Sequence, residues 1–168
     1  DTSKNNHKRS HSILKAAKNL AANSTSVGQV VFSGILTVLV KRGVNLIVAD
    51  VGGTSDPYCV FASGPASDLS ILYPGQTAKS SVKKRTLNPQ WNEMLTVSIA
   101  DIETDVLHLE VWDKDRMTKD DPMGDATVIL KDVFTDSSSY EQEKEVRVVL
   151  QNVSKGEIIL GLSFVSLK

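Results

Sequence analysis

Five aspartates carry the densest chemistry in the chain: Asp50 and Asp56, then Asp113, Asp115 and Asp121. Carboxylates brought close together repel one another, so a fold does not crowd them for stability alone. A hard divalent cation removes the conflict. Ca²⁺ takes about six to eight oxygen ligands at about 2.3–2.6 Å in irregular geometry, which suits donors carried on loops. Mg²⁺ demands near-octahedral placement and keeps its water, so it fits less well. Zinc fits worse, because these segments hold no Cys or His. An EF-hand loop starting at Asp113 fails, with Met117, Thr118 and Gly124 at its fifth, sixth and twelfth positions, where a ligand, Gly and Glu are needed. The ligands must therefore be pooled from distant segments by the fold.

The elements able to pool them begin at Gly34, where short β-rich runs alternate with turn residues, the pattern of an all-β antiparallel sandwich. Eight runs are expected: Ile35–Lys41, Pro57–Ala62, Ala78–Lys84, Glu93–Ile99, Val106–Trp112, Gly124–Ile129, Glu145–Leu150 and Glu157–Ser166. In the fifth, Leu107, Leu109 and Val111 point one way and His108, Glu110 and Trp112 the other, so His108 is expected to be solvated on an outer face. Antiparallel strands reverse at every connection. The first, third and fifth connections, Val48–Ser55, Arg85–Asn92 and Asp113–Met123, should then gather at one end, with all five aspartates. The second, Ser63–Thr77, falls at the other end; the part played by its Leu69, Ile71, Leu72 and Tyr73 stays open, folding back on the sheet being one course.

Charge divides the chain of 168 residues differently from structure. Residues 1–33 carry Lys4, Lys8, Arg9, Lys15 and Lys18 against Asp1, while the remainder is acidic and the whole has a net charge of −1. That excludes the basic excess of a nucleic-acid binder. The leader 1–33 reads as a basic linker, with 34–168 as the domain. Within the leader, Ser12–Ala22 has Ile13, Ala16, Ala17 and Leu20 on one helical face, which fits either transient helix in a linker or a helix lying on an anionic bilayer. The single Cys59 cannot form an internal disulfide, pointing to a reducing, cytoplasmic setting. No apolar run reaches the roughly 18 residues of a membrane span. With no initiator Met, the sequence reads as part of a longer protein that carries any membrane anchor elsewhere. No nucleophile elbow, phosphate loop or His-Glu-x-x-His motif is present, so no catalytic role or small-molecule substrate is expected of this chain.

Three ordered segments carry a family resemblance: Asp50-Val-Gly-Gly-Thr-Ser-Asp56-Pro-Tyr, Thr86-Leu-Asn-Pro-Gln-Trp-Asn-Glu93, and Val111-Trp-Asp-Lys-Asp115-Arg-Met-Thr-Lys-Asp-Asp121-Pro-Met-Gly124. Together they resemble the C2 domain family over Gly34–Lys168. The resemblance implies that all five aspartates are Ca²⁺ ligands, with Thr118 as an auxiliary oxygen donor and the carbonyls of Ala49, Lys114 and Lys119 as further ones, for about two or three ions. It implies type II strand order, with the run at 157–166 last, and points to a parent like the extended synaptotagmins or tricalbins. Asn88, Trp91 and Trp112 read as structural supports of the loops. The expected activity is Ca²⁺-dependent docking on anionic phospholipid membranes by a monomeric, peripheral module. Val51 and Met117 would insert, while Arg116, Lys79, Lys83 and Arg85 meet headgroups. A specific inositide site is in doubt: Lys79, Lys83, Lys84 and Arg85 supply one strand, but Tyr58–Ala62 supplies no basic residue. The alternatives are a Ca²⁺-independent protein-interaction domain and the regulatory module of a lipid-signalling enzyme. Asp121 is expected on a mobile loop serving an outer ion, and Asp120 as its outward, solvated neighbour.

Overall fold

The structure, a computed structural model, describes residues 30–73 and 77–167. The expected leader helix lies outside the described residues. Among the described residues the strands are β1 (Gly34–Val44), β2 (Pro57–Pro65), β3 (Thr77–Lys79), β4 (Gln90–Ile99), β5 (Asp105–Asp113), β6 (Asp121–Ile129), β7 (Lys144–Val149) and β8 (Glu157–Ser166). They form two four-stranded antiparallel sheets in the orders β4-β1-β8-β7 and β3-β2-β5-β6. The last strand in the chain, β8, lies between β1 and β7, as type II order requires.

Alternation along the strands builds the core. Leu36, Val38 and Val40 of β1 and Leu160, Leu162 and Phe164 of β8 meet Phe61 of β2 and Leu107, Leu109 and Val111 of β5 between the sheets. Truncating a ring such as Phe164 to Ala would cost about 3–5 kcal/mol through lost burial and the cavity left behind. Cys59 is fully buried in this layer, and burial raises its thiol well above the usual range.

Two strand expectations are corrected. β5 is buried on both faces along its whole length. On its outer side Trp112 packs with Tyr58, Val60 and Ala62, and Leu72 from the long second connection folds onto them. His108 is consequently buried rather than solvated, its Nδ1 3.3 Å from Thr127 Oγ1. The third strand is also shorter than expected, ending at Lys79. Beyond it the chain still runs beside β2, with Ser80 N–H and Lys83 N–H donating to the carbonyls of Cys59 and Pro57, but without a regular ladder. Lys83 and Arg85 therefore sit on an irregular strap at the sheet edge.

The second connection does turn back on the sandwich. Tyr73 N–H donates to the Ser63 carbonyl, and its hydroxyl donates to Asp105 at 2.6 Å. Close approach requires Gly64 here: a Cβ at that position would lie 2.2 Å from the Ile71 carbonyl oxygen. No helix among the described residues is long and apolar enough to cross a membrane.

Candidate metal centre

The first, third and fifth connections meet at one end, and their mutual hydrogen bonds fix the meeting. Thr86 N–H donates to the Ser55 carbonyl, Leu46 N–H to that of Leu87, and Lys114 N–H to that of Asp56. Asn88 Oδ1 accepts from Asn45 N–H at 2.9 Å, the loop-fixing role expected of it. Trp91 is buried and donates its indole N–H to the Ser81 carbonyl. Inside the first loop Ser55, fully buried, accepts from Ala49 N–H and donates to the Ile47 carbonyl. The loop tip turns at Gly53, whose φ of +82° suits glycine.

Within this frame Asp50, Asp56 and Asp113 each offer an oxygen, and the three oxygens lie within 4.8 Å of one another. Asp113 ends β5, is fully buried, and accepts Asp56 N–H on Oδ1 at 2.6 Å. Its Oδ2 is buried and meets no N–H or O–H donor among the described residues. Burial pushes the Asp113 carboxyl up to about 6, opposed by the Asp56 N–H and reinforced by Asp50 and Asp56 beside it. Asp56 Oδ1 accepts the backbone N–H of Arg85 at 2.8 Å, which holds Arg85 at its left-handed φ of +54°. Crowded carboxylates, one with an orphan buried oxygen, suit an all-oxygen divalent cation.

Asp115 and Asp121 are not part of that cluster. Asp115 folds its carboxylate back into its own loop, accepting the N–H groups of Met117 and Thr118 and the Thr118 hydroxyl. Those bonds, the Met117 N–H foremost, lower its carboxyl below the usual range. Asp121 is exposed and opens β6 opposite Asp113 in the ladder, so it belongs to a strand and not to a mobile loop. Val51 and Met117 are almost fully solvent-exposed at the loop tips. Lys79 and Arg85 are exposed, while Lys83 is half-buried with Nζ 4.0 Å from Glu93.

The profile of the C2 domain family matches residues 34–146. This chain belongs to the C2 domain family. It is 43% identical over 98 residues to Protein C2-DOMAIN ABA-RELATED 4 of Arabidopsis thaliana, a match covering 58% of this chain and 49% of that protein. Tricalbin-1 of Saccharomyces cerevisiae is 34% identical over 133 residues, covering 79% of this chain and 10% of the yeast protein. The chain thus spans half or less of both curated relatives. A solved C2 domain of plant extended synaptotagmin 1 superposes with a TM-score of 0.69 at 26% identity, covering 82% of this chain and 98% of that one.

In this C2 domain two residues that shape the loops escape a reading of the sequence. Asp120 is not an outward neighbour: its side chain is only 12% exposed, and its carboxylate accepts the Tyr58 hydroxyl at 2.5 Å and the Asp115 N–H at 3.0 Å. Burial and then Asp120 raise the Tyr58 phenol far above its ordinary value, so it stays a donor. Glu93 is the other; it accepts both the backbone N–H and the hydroxyl of Ser81, pinning the basic strap. The sequence signal for Asp120 is a second carboxylate beside Asp121, which is equally the mark of a solvated turn.

Proposed function

We propose that this C2 domain docks on anionic phospholipid membranes when Ca²⁺ is bound at the end of the sandwich that carries the aspartates. The observation that carries the reading is the group of three carboxylates from two separate connections, one of them holding a buried oxygen with no donor among the described residues. Asp50, Asp56 and Asp113 would hold the inner cation. Asp115 and Asp121 would complete the ligand set after Asp115 releases its turn, with the Thr118 hydroxyl and the carbonyls of Ala49, Lys114 and Lys119 as further donors. About two or three ions fit that number of oxygens. When bound, the cation supplies positive charge and open coordination positions that lipid phosphate or carboxylate oxygens can fill.

The chain's own residues do the rest. Without the cation, the carboxylates repel an anionic surface; once they are neutralised, the local field changes sign. Val51 and Met117, projecting from the tips, enter the interfacial layer. Arg116 and Arg85 stand beside the site to meet headgroups, and Lys79 and Lys83 extend the basic edge. We take residues 34–168 as the docking domain and residues 1–33 as a basic linker joining it to the rest of a longer, membrane-associated cytoplasmic protein. Pelleting of phosphatidylserine-containing liposomes, with Ca²⁺ and with chelator, tests this. Ca²⁺-dependent co-sedimentation is expected; equal pelleting in both would favour a Ca²⁺-independent interaction domain.

A further inference from the structure

We propose that Tyr58 and Asp120 form a strut that positions Asp115 for the cation, which makes both of them positioning residues of the site. The inference rests on the Ca²⁺ reading above and deepens it, because neither residue belongs to the ligand set that the resemblance implies.

The strut begins on a rigid base. Tyr58 lies on β2 directly opposite Trp112 of β5, and its ring is buried in the outer cluster with Val60, Ala62 and Trp112. A ring held on a sheet by packing puts its hydroxyl at a fixed point. From there the hydroxyl donates to Asp120 Oδ2 at 2.5 Å, and Asp120 Oδ1 accepts the backbone N–H of Asp115 at 3.0 Å. Lys114 Nζ lies 3.7 Å from the same Asp120 oxygen as the phenol, balancing its charge. One carboxylate thus ties the first and last parts of the fifth connection to the sheet.

The rest of that connection has little else to hold it. Lys114, Arg116, Met117, Thr118 and Lys119 are exposed, and among the described residues the carboxylate of Asp115 bonds only within its own loop. To join Asp50, Asp56 and Asp113, that carboxylate must leave Met117 and Thr118 and swing toward the cluster. With the Asp115 N–H anchored to Asp120, the swing needs only side-chain torsions. With the anchor cut, loop backbone must also be ordered when the cation binds, and binding weakens accordingly. Groups that orient a metal ligand from behind typically change metal affinity by about 10–100-fold when removed. A strut two bonds removed from the ligand belongs at the lower end of that range.

The test compares the full chain with Y58F, D120A and the double variant. Y58F removes one hydroxyl and leaves the packed ring in place. Two readouts are needed: NMR hydrogen exchange of the Asp115 amide in chelator, and Ca²⁺ titration calorimetry. The strut predicts faster Asp115 exchange in both single variants with the Ca²⁺-free melting temperature of Y58F near that of wild type. It also predicts Ca²⁺ affinity about tenfold weaker in each, and a double variant no weaker than D120A alone. Unchanged Asp115 exchange, or unchanged Ca²⁺ affinity in both single variants, overturns the strut while leaving the Ca²⁺ reading intact. Additive losses in the double variant overturn it as well. A wild-type chain that takes up no Ca²⁺ overturns the reading beneath the strut, and the strut with it.

Discussion

Strand β5 begins and ends on a buried aspartate, and the two are treated in opposite ways. Asp105, at its start, accepts the N–H groups of Ala100 and Asp101 on Oδ2 and the Tyr73 hydroxyl on Oδ1. Among the described residues Asp113, at its end, has one N–H on Oδ1, no donor on Oδ2, and two further carboxylates beside it. Desolvating a carboxylate is costly unless donors or a cation compensate it. At the Asp105 end the protein supplies the donors itself, and the result is a corner that closes the 63–77 connection onto the sandwich. At the Asp113 end it withholds them. The difference identifies the end at which an external cation is expected.

Substituting the two aspartates gives the largest contrast. Asp113→Asn should nearly abolish Ca²⁺-dependent liposome binding, because it removes charge from the centre of the cluster, and should raise the melting temperature of the Ca²⁺-free protein by relieving repulsion. Asp105→Asn should leave the Ca²⁺ response in place and lower stability by about 1–3 kcal/mol, since an amide brings one acceptor oxygen and no charge to donors that the carboxylate meets with two. Pelleting assays and chemical denaturation of both variants check the pair. Losses of Ca²⁺ response in both would erase the distinction between the ends.

Proton competition sharpens the contrast with a smaller effect. The folded carboxyl of Asp113 titrates at about 6, above its ordinary value of 3.8, so in the Ca²⁺-free protein it favours folding in full below about pH 4 and loses that contribution as pH rises through about 6. Asp115, Asp68 and Asp136 are shifted downward, the first by its own loop's donors and the others by Ser70 and Ser138, and contribute with the opposite sign as pH falls. The informative quantity is therefore the difference between wild type and Asp113→Asn across this window. Ca²⁺ must displace the Asp113 proton below about pH 6, and its affinity should fall by up to about tenfold per pH unit there. A Ca²⁺ affinity flat from pH 7 to 5 would remove Asp113 from the ligand set.

The loop tips should affect membranes without affecting the ion. Val51→Asn and Met117→Gln are expected to weaken liposome binding by about tenfold or more each, consistent with about 1.5–3 kcal/mol for burying such a side chain. Calorimetric Ca²⁺ affinity in the absence of lipid should not change. The basic edge ranks below the tips: Lys79→Ala or Arg85→Ala should cost about 1 kcal/mol of liposome binding at low salt.

Much of this is legible in the sequence because strand period and turn chemistry are local. Eight runs, their order and the convergence of three connections follow from alternation and chain reversal, and Asn88 reads as a structural, loop-fixing amide within a segment that carries the family resemblance, as its bond to Asn45 bears out. What escapes depends on which faces are covered. His108 reads as solvated because period-two alternation gives the direction of a side chain but not what packs over it. Asp120 reads as solvated for the same reason: the hydroxyl that holds it comes from Tyr58, 62 positions away. Asp115 and Asp121 do lie at the expected end, but the turn that Asp115 makes with Met117 and Thr118 arises from local backbone geometry that residue types do not specify.

Thermal denaturation of the full chain across a Ca²⁺ series, with Mg²⁺ and chelator as controls, tests the central claim most directly. A cation bound only by the folded state stabilises by RT ln(1 + [L]/Kd), about 2.7 kcal/mol at a hundredfold excess over Kd. The account predicts a melting temperature that climbs with the logarithm of Ca²⁺ concentration, responds weakly to Mg²⁺, and stays flat in Asp113→Asn. A melting temperature indifferent to millimolar Ca²⁺, or an equal rise in Asp113→Asn, would contradict it.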